Sequence, residues 1–392
     1  MNAQKIIDQE DKYVLPTYAK FPFLLTRGEG NSVFDSEGRR YLDLYGGHAV
    51  CIVGHSHPRL VDAIHRQASE LLFYSNVCYH PARAEAGRYL VEKSYPSMAQ
   101  VYFCNSGAEA NETALKIARR FTKRSRVVSM VDGFHGRTIA SLSVTGREKL
   151  RTSFPDNLDH LTDFVPFGDL SAIEALDLEN VAAILLEPVQ SMAGIFVAPA
   201  EYYRSLRDLC TRHGVVLIFD EVQTAPGRTG EWFVGTHWDV EPDLVTGAKG
   251  IGGGFPTGVV IANRDISNTV EVGDQGSTFG GGPVAAAAIE TTFRILDEDD
   301  LPARVTGISK GVVQRFEEFK KTGLVREVRG LGYLLGVECS VPAKGIGRQL
   351  REKGILIGSS YQENTFRLLP PLTVGEAEWD EFFVALGEIE PI

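Results

Sequence analysis

Five short apolar runs constrain this chain more than any other feature. They lie at residues 101–104, 127–131, 181–186, 215–219 and 258–262, with helix-patterned segments between them. Strands covered on both faces read as apolar runs, and strands alternating with helices build a mostly parallel sheet. An α/β fold is therefore expected. At 392 residues the chain exceeds what one core usually covers, so sub-domains are expected. Residues 18–45 carry turn signals, Arg27-Gly28-Glu29-Gly30-Asn31 and Asp35-Ser36-Glu37-Gly38, between short apolar runs, which predicts a small antiparallel meander. Beyond about residue 295, charged helical stretches and glycine-bounded strands predict a smaller α+β unit packed with that meander. The expected division is 1–58, 59–292 and 293–392, with the first and last segments forming the smaller domain.

No stretch of about twenty apolar residues exists to span a bilayer. The N-terminus has no apolar export core, so a cytoplasmic protein is expected. A formal charge of -11 argues against nucleic acid as a partner. Cys51, Cys78, Cys104, Cys210 and Cys339 are odd in number and scattered, which reads as reduced and mostly buried thiols. No histidine or cysteine spacing fits a metal site.

Chemistry is signalled at the ends of the runs. Asp220 closes Val215-Val216-Leu217-Ile218-Phe219, and Lys249 follows twenty-nine residues later, between Gly247 and Gly250. A carboxylate at the tip of a buried strand can keep a pyridine nitrogen protonated, and a nearby lysine can condense with an aldehyde. Those are the two protein groups that pyridoxal 5'-phosphate requires. Taken singly, each is equally a strand-end cap and a surface lysine. Asn105-Ser106-Gly107-Ala108-Glu109 joins the first run to a helix in which Ala114, Ile117, Ala118 and Phe121 share one face. A helix N-terminus after a small-residue turn can take a phosphate, or Ser106 can simply cap it. In Phe134-His135-Gly136-Arg137-Thr138 an aromatic can stack on a heterocycle and an arginine can clamp a carboxylate. Glu187 ends another run, Val222 and Gln223 follow Asp220, and Gly227-Arg228-Thr229-Gly230 reads as a turn. Arg367 interrupts an apolar run and needs a partner, either a substrate carboxylate or an internal acid.

In joint order these motifs resemble the class III, or ω-amino-acid, aminotransferases of fold type I that use pyridoxal phosphate. The likeness runs from Tyr18 to about Leu372 and is nearest the acetylornithine and ornithine branch. It implies a seven-stranded, mostly parallel sheet flanked by helices. It also implies roles. Lys249 would bind the cofactor aldehyde and move the proton, and Asp220 would meet the ring nitrogen. Phe134 and Val222 would sandwich the ring, with Gln223 and Glu187 near its phenolic edge. Ser106, Gly107 and Ala108 would hold the phosphate, joined by Thr278 of a second subunit. The active unit would then be a homodimer or larger, with its sites at the interface. Arg137 and Arg367 would take the carboxylates of an acceptor such as 2-oxoglutarate or pyruvate in a ping-pong transfer. Two positions depart from the branch. Met192 stands where a glutamate usually neutralises the late arginine, and His48 is either a pocket residue or a structural one. An aminomutase or a dialkylglycine-type decarboxylase shares the scaffold, and a non-catalytic relative would be expected to lack Lys249 or Asp220.

Overall fold

The computed structural model describes residues 2–154 and 160–390. Its centre is a seven-stranded sheet. In chain order the strands are β1 (Met98–Cys104), β2 (Arg126–Met130), β3 (Thr162–Val165), β4 (Val181–Leu186), β5 (Val216–Asp220), β6 (Leu244–Gly247) and β7 (Gly258–Asn263). Across the sheet they run β1-β7-β6-β5-β4-β2-β3. The pairs β6–β5, β5–β4, β4–β2 and β2–β3 are parallel, while β7 runs antiparallel to both β6 and β1.

Side-chain alternation on these strands fills two separate cores, which is why they read as apolar runs. Ile184, Leu186, Leu217 and Phe219 face one core, and Ala183, Leu185, Val216 and Ile218 face another. Two strands lacked a signal. Edge strand β3 buries only Val165 and is held by the ion pair of Asp163 with Arg126. Strand β6 has four residues, one of them Thr246, too few for a periodic pattern.

The predicted helix spans Gly107–Thr122, and the Ser106 hydroxyl accepts from the Glu109 amide at its start. Ala114, Ile117 and Ala118 are buried as expected, but Phe121 is 39% exposed. It sits in the last turn, just before Lys123 reverses the chain in a left-handed conformation. Leu115 takes the buried place instead.

The meander forms from Leu25–Glu29, Ser32–Asp35 and Arg40–Asp43, and the short strand Ile355–Leu356 adds to it in parallel. A second sheet comprises Val325–Leu331, Leu334–Cys339, Thr365–Leu368 and Gly358–Ser359. Leu42, Leu44 and Ile52 share a core with Val337, Phe366 and Trp379, so the two ends of the chain pack together. The Gly227–Gly230 stretch is a turn, but its arginine is not solvated. Arg228 is 1% exposed and donates to the carbonyls of Pro370, at 2.7 Å, and Tyr333, at 3.3 Å. Cys104, Cys210 and Cys339 are buried, Cys51 partly so and Cys78 exposed, all as free thiols. Among the described residues no helix is long and apolar enough to cross a membrane.

Leu217 is fully buried in β5. Leu217→Ala should cost about 2–5 kcal/mol through lost contacts and the cavity left behind. Phe121→Ala should cost less than about 1 kcal/mol, as at other surface-facing positions. Urea unfolding of both variants at one protein concentration checks the contrast, and equal losses would contradict the packing described.

Candidate functional site

The sheet register brings the carboxylate and the lysine together. Strands β5 and β6 are parallel neighbours with Asp220 opposite Thr246, so Asp220 and Lys249 leave the same edge of the sheet. Ligands of open α/β sheets bind at that carboxyl edge. Asp220 is 4% exposed. Its Oδ2 accepts from Asn111 Nδ2 and from His135 Nδ1, both at 2.8 Å, and its Oδ1 accepts from the Val222 amide at 3.1 Å. Asn111 also accepts from the Thr246 hydroxyl at 2.7 Å and donates to the His135 carbonyl at 2.8 Å. One asparagine thus ties the helix Gly107–Thr122 to β6, to Asp220 and to the Phe134–Arg137 loop.

Lys249 begins a short 3₁₀ turn with φ 45°, a strained left-handed conformation for a residue with a side chain. Burial lowers its amine to about 8 from the ordinary 10.5, although Asp220 and Glu187 favour the charged form. A larger share of neutral amine near neutrality suits attack on a carbonyl.

A cavity of about 410 Å³ opens in front of the pair. Ser106, Gly107, Ala108, Phe134, Arg137, Glu187, Asp220, Val222, Gln223 and Lys249 all line it. Amides in the first turn of a helix have no partners within it, so Gly107 and Ala108 present N–H groups and a positive dipole end here. A Cβ on Gly107 would lie 3.0 Å from Val222, so a larger residue would have to push that side chain aside for the helix to start so close to β5. Glu187 is buried, accepting from the Phe134 amide at 2.9 Å and the Ser191 amide at 3.3 Å. Burial, reinforced by Asp220, raises its carboxyl to about 7. The Gln223 carbonyl accepts from the Ser191 hydroxyl at 2.9 Å.

Four other expected residues lie outside the cavity lining. Arg367 is 1% exposed and donates to the Ser191 hydroxyl at 2.9 Å and to the Ser359 carbonyl. Among the described residues it forms no ion pair with an acid. Met192 is partly buried, and its carbonyl accepts from the Tyr361 amide at 2.8 Å. His48 is exposed with φ 70°, its ring hydrogen-bonded to the Tyr45 hydroxyl. Partial desolvation of the imidazole by the atoms around it, then the charges of Lys249, Arg367 and Arg137, lower its pKa. Thr278 is exposed on a loop that Ser277 ties to Asn105, at 3.1 Å. At the mouth, Arg137 lies 5.6 Å from the Tyr18 ring and 5.8 Å from the Phe134 ring.

Sequence reasoning gave no role to Asn111, His135, Ser191 or Tyr18. Asn111 did leave a signal, as a polar residue on the helix face that buries Ala114 and Ala118, where a buried amide must find partners. Among the described residues no group of three potential ligands could hold a metal. A phosphate cradle at one end, an aromatic and a valine over a flat slot, and an amine beside a pinned carboxylate fit a phosphorylated pyridine aldehyde.

A profile of the family Aminotransferase class-III matches residues 13–389. The chain belongs to the class-III aminotransferases. Acetylornithine aminotransferase of Methanopyrus kandleri is 41% identical, over 99% of this chain and 98% of its own. That of Caldanaerobacter subterraneus is 40% identical, over 98% of each. Among solved structures, ornithine aminotransferase from Toxoplasma gondii matches with a TM-score of 0.91 at 29% identity, over 98% of this chain and 93% of that one. This class-III aminotransferase is a transaminase dependent on pyridoxal phosphate, and the expected α/β fold is borne out.

The lowered Lys249 pKa has a consequence for stability. The folded value lies near 8 and the ordinary value is 10.5. Below pH 8 both states hold the proton, so the cost of the buried ammonium is fully present. Between the two values only the unfolded chain keeps it, and stability rises by about 1.4 kcal/mol per pH unit. In the cofactor-free protein, Lys249→Met should therefore be more stable than the wild type at pH 7, and this advantage should shrink toward pH 10. Paired urea titrations at the two pH values measure it, and an advantage that stays constant would refute the assignment.

Proposed function

We propose that this transaminase moves the terminal amino group of an acetylornithine-like ω-amino acid to 2-oxoglutarate in a ping-pong sequence. One observation carries this reading: Arg137 lines the cavity, and Arg367, buried just behind the lining, is joined to it through Ser191 and Gln223 and has no acid partner among the described residues. A dicarboxylate acceptor needs two cations, and a donor with one distal carboxylate needs the outer one. The relatives named acetylornithine aminotransferase support the same donor class.

The bound cofactor supplies an aldehyde that accepts the amine and a cationic ring that draws off electrons. The chain supplies the rest. Lys249 would anchor that aldehyde, and its freed amine would carry the proton between the donor carbon and the carbon that receives it. Asp220, pinned by Asn111, His135 and the Val222 amide, would meet the ring nitrogen and keep it charged. Phe134 and Val222 would cover the ring faces. The Gln223 amide N–H and Glu187 would stand at the phenolic edge, and Ser106, Gly107 and Ala108 would hold the phosphate. Arg137 binds the donor carboxylate, and both arginines bind the acceptor. His48 and Met192 border the substrate side.

We further infer a homodimer acting in the cytoplasm. Leu72, Val77 and Tyr79 are exposed at 69%, 84% and 105%, beside Phe279 at 64%. The Phe73 and Phe279 rings meet at 5.2 Å, so this apolar surface adjoins the loop of Thr278. A contiguous surface of that kind marks an interface. A second copy seated on it would bring Thr278 to the neighbouring phosphate.

With 2-oxoglutarate as acceptor, acetylornithine and ornithine should yield glutamate, whereas an aminomutase would yield none. Arg367→Ala should raise KM for 2-oxoglutarate about a hundred-fold, since it removes a charge-assisted bidentate contact. A panel of donors including 4-aminobutyrate, β-alanine and simple amines, each assayed for glutamate, checks this. Glutamate from none of them, or an unchanged KM in the variant, would overturn the reading.

A further inference from the structure

Arg367 belongs to a built unit whose edge is formed by a residue that has no role so far. Ser359 and Ser191 accept from its guanidinium. The next residue after Ser191, Met192, accepts through its carbonyl from the amide of Tyr361, at 2.8 Å, two residues beyond Ser359. The segments 191–192 and 359–361 are therefore stapled to each other around Arg367. The Tyr361 ring is fixed from outside the staple too. The Arg147 guanidinium lies 4.7 Å from its centroid and is itself held by Asp132 at 2.8 Å. Glu187, Arg147, Arg137 and Arg367 are the charges that act on its phenol. Of these, Glu187 and Arg137 line the cavity, and the staple holds the tyrosine two residues from the Ser359 carbonyl that Arg367 grips.

We propose that Tyr361 is a specificity-determining residue of the Arg367 pocket, its phenol donating to the substrate carboxylate that Arg367 holds. The inference rests on the carboxylate-binding reading of Arg367 given above. Burial, with Glu187 adding to it, raises the phenol to about 12, so it stays an O–H donor at working pH. A neutral donor also leaves the guanidinium uncompensated. An acid at the same edge would compete with the substrate for Arg367, whereas a phenol adds one hydrogen bond to the same carboxylate. With Met192 beside it, the pocket should favour acids over amines that carry no carboxylate.

The test uses the holoenzyme and Tyr361→Phe, which retains the ring, its packing under Arg147 and the amide bond to Met192. Glutarate, a dicarboxylate with no carbonyl to react, is titrated into both proteins. The variant should bind glutarate about ten-fold more weakly, as expected for one hydrogen bond to a charged group. KM for 2-oxoglutarate should rise in parallel, with kcat little changed. Glutarate affinity that stays the same, or that falls no further than kcat/KM for the carboxylate-free donor 1-propylamine, would overturn the role of Tyr361. Wild-type enzyme that fails to bind glutarate would sink the carboxylate reading of Arg367 and this inference with it. Wild-type enzyme that binds glutarate yet makes no glutamate from any donor would sink only the proposed reaction.

Discussion

A charge held at the end of a buried strand organises this molecule. Asp220 is nearly sealed from water, where an unpaired carboxylate is costly, so its oxygens must be met by donors. Asn111, His135 and the Val222 amide meet them, and each comes from a different element. For Asn111 to reach, its helix must start hard against β5, which the missing side chain of Gly107 accommodates. For His135 to reach, the loop after β2 must fold over the sheet edge, and Glu187 holds that loop through the Phe134 amide. The cavity is thus a by-product of satisfying one acid.

The legible parts of this architecture are those where burial acts through periodicity. Strands β4 and β5 lie between two cores, so every residue up to the terminal Asp220 is apolar whichever way it points. The helix after Ser106 was equally plain, because its small side chains recur at the turn spacing. Legibility failed where a single polar contact replaces apolar packing. Strand β3 is fixed by an edge ion pair, and β6 is too short to show a period. Arg228 looks like any loop arginine in the sequence, yet it is spent on two backbone carbonyls between distant segments. Tyr361 is similar, since its position is set by a carbonyl some 170 residues earlier, at Met192. Local sequence carries no trace of such long-range partners.

The two ends of the cavity communicate through one hydroxyl. Ser191 accepts from Arg367 and donates to Gln223, so the buried cation behind the cavity and an amide that lines it share one hydroxyl. Ser191 also gives its amide to Glu187. A carboxylate pulling on Arg367 would therefore be felt at Gln223 through two hydrogen bonds. Because Gln223 uses its carbonyl toward Ser191, its N–H groups are the ones left to face the cavity, and the network fixes the amide's orientation as well as its position.

Two further buried carboxyls flank Asp220, and neither is spare charge. Burial raises both Glu187 and Glu221 to about 7, with the neighbouring Asp220 opposing their ionisation. Glu221 accepts from the Thr224 hydroxyl at 2.9 Å and the Val234 amide at 2.8 Å, and the Tyr95 hydroxyl completes its shell. It braces the turn that carries Val222 and Gln223 from the side away from the cavity. Burial outweighs the pull of Asp220 and Glu187, both of which favour the charged lysine, and so lowers the Lys249 amine. The reactivity of Lys249 is therefore set by its burial acting against the attraction of those two neighbouring acids.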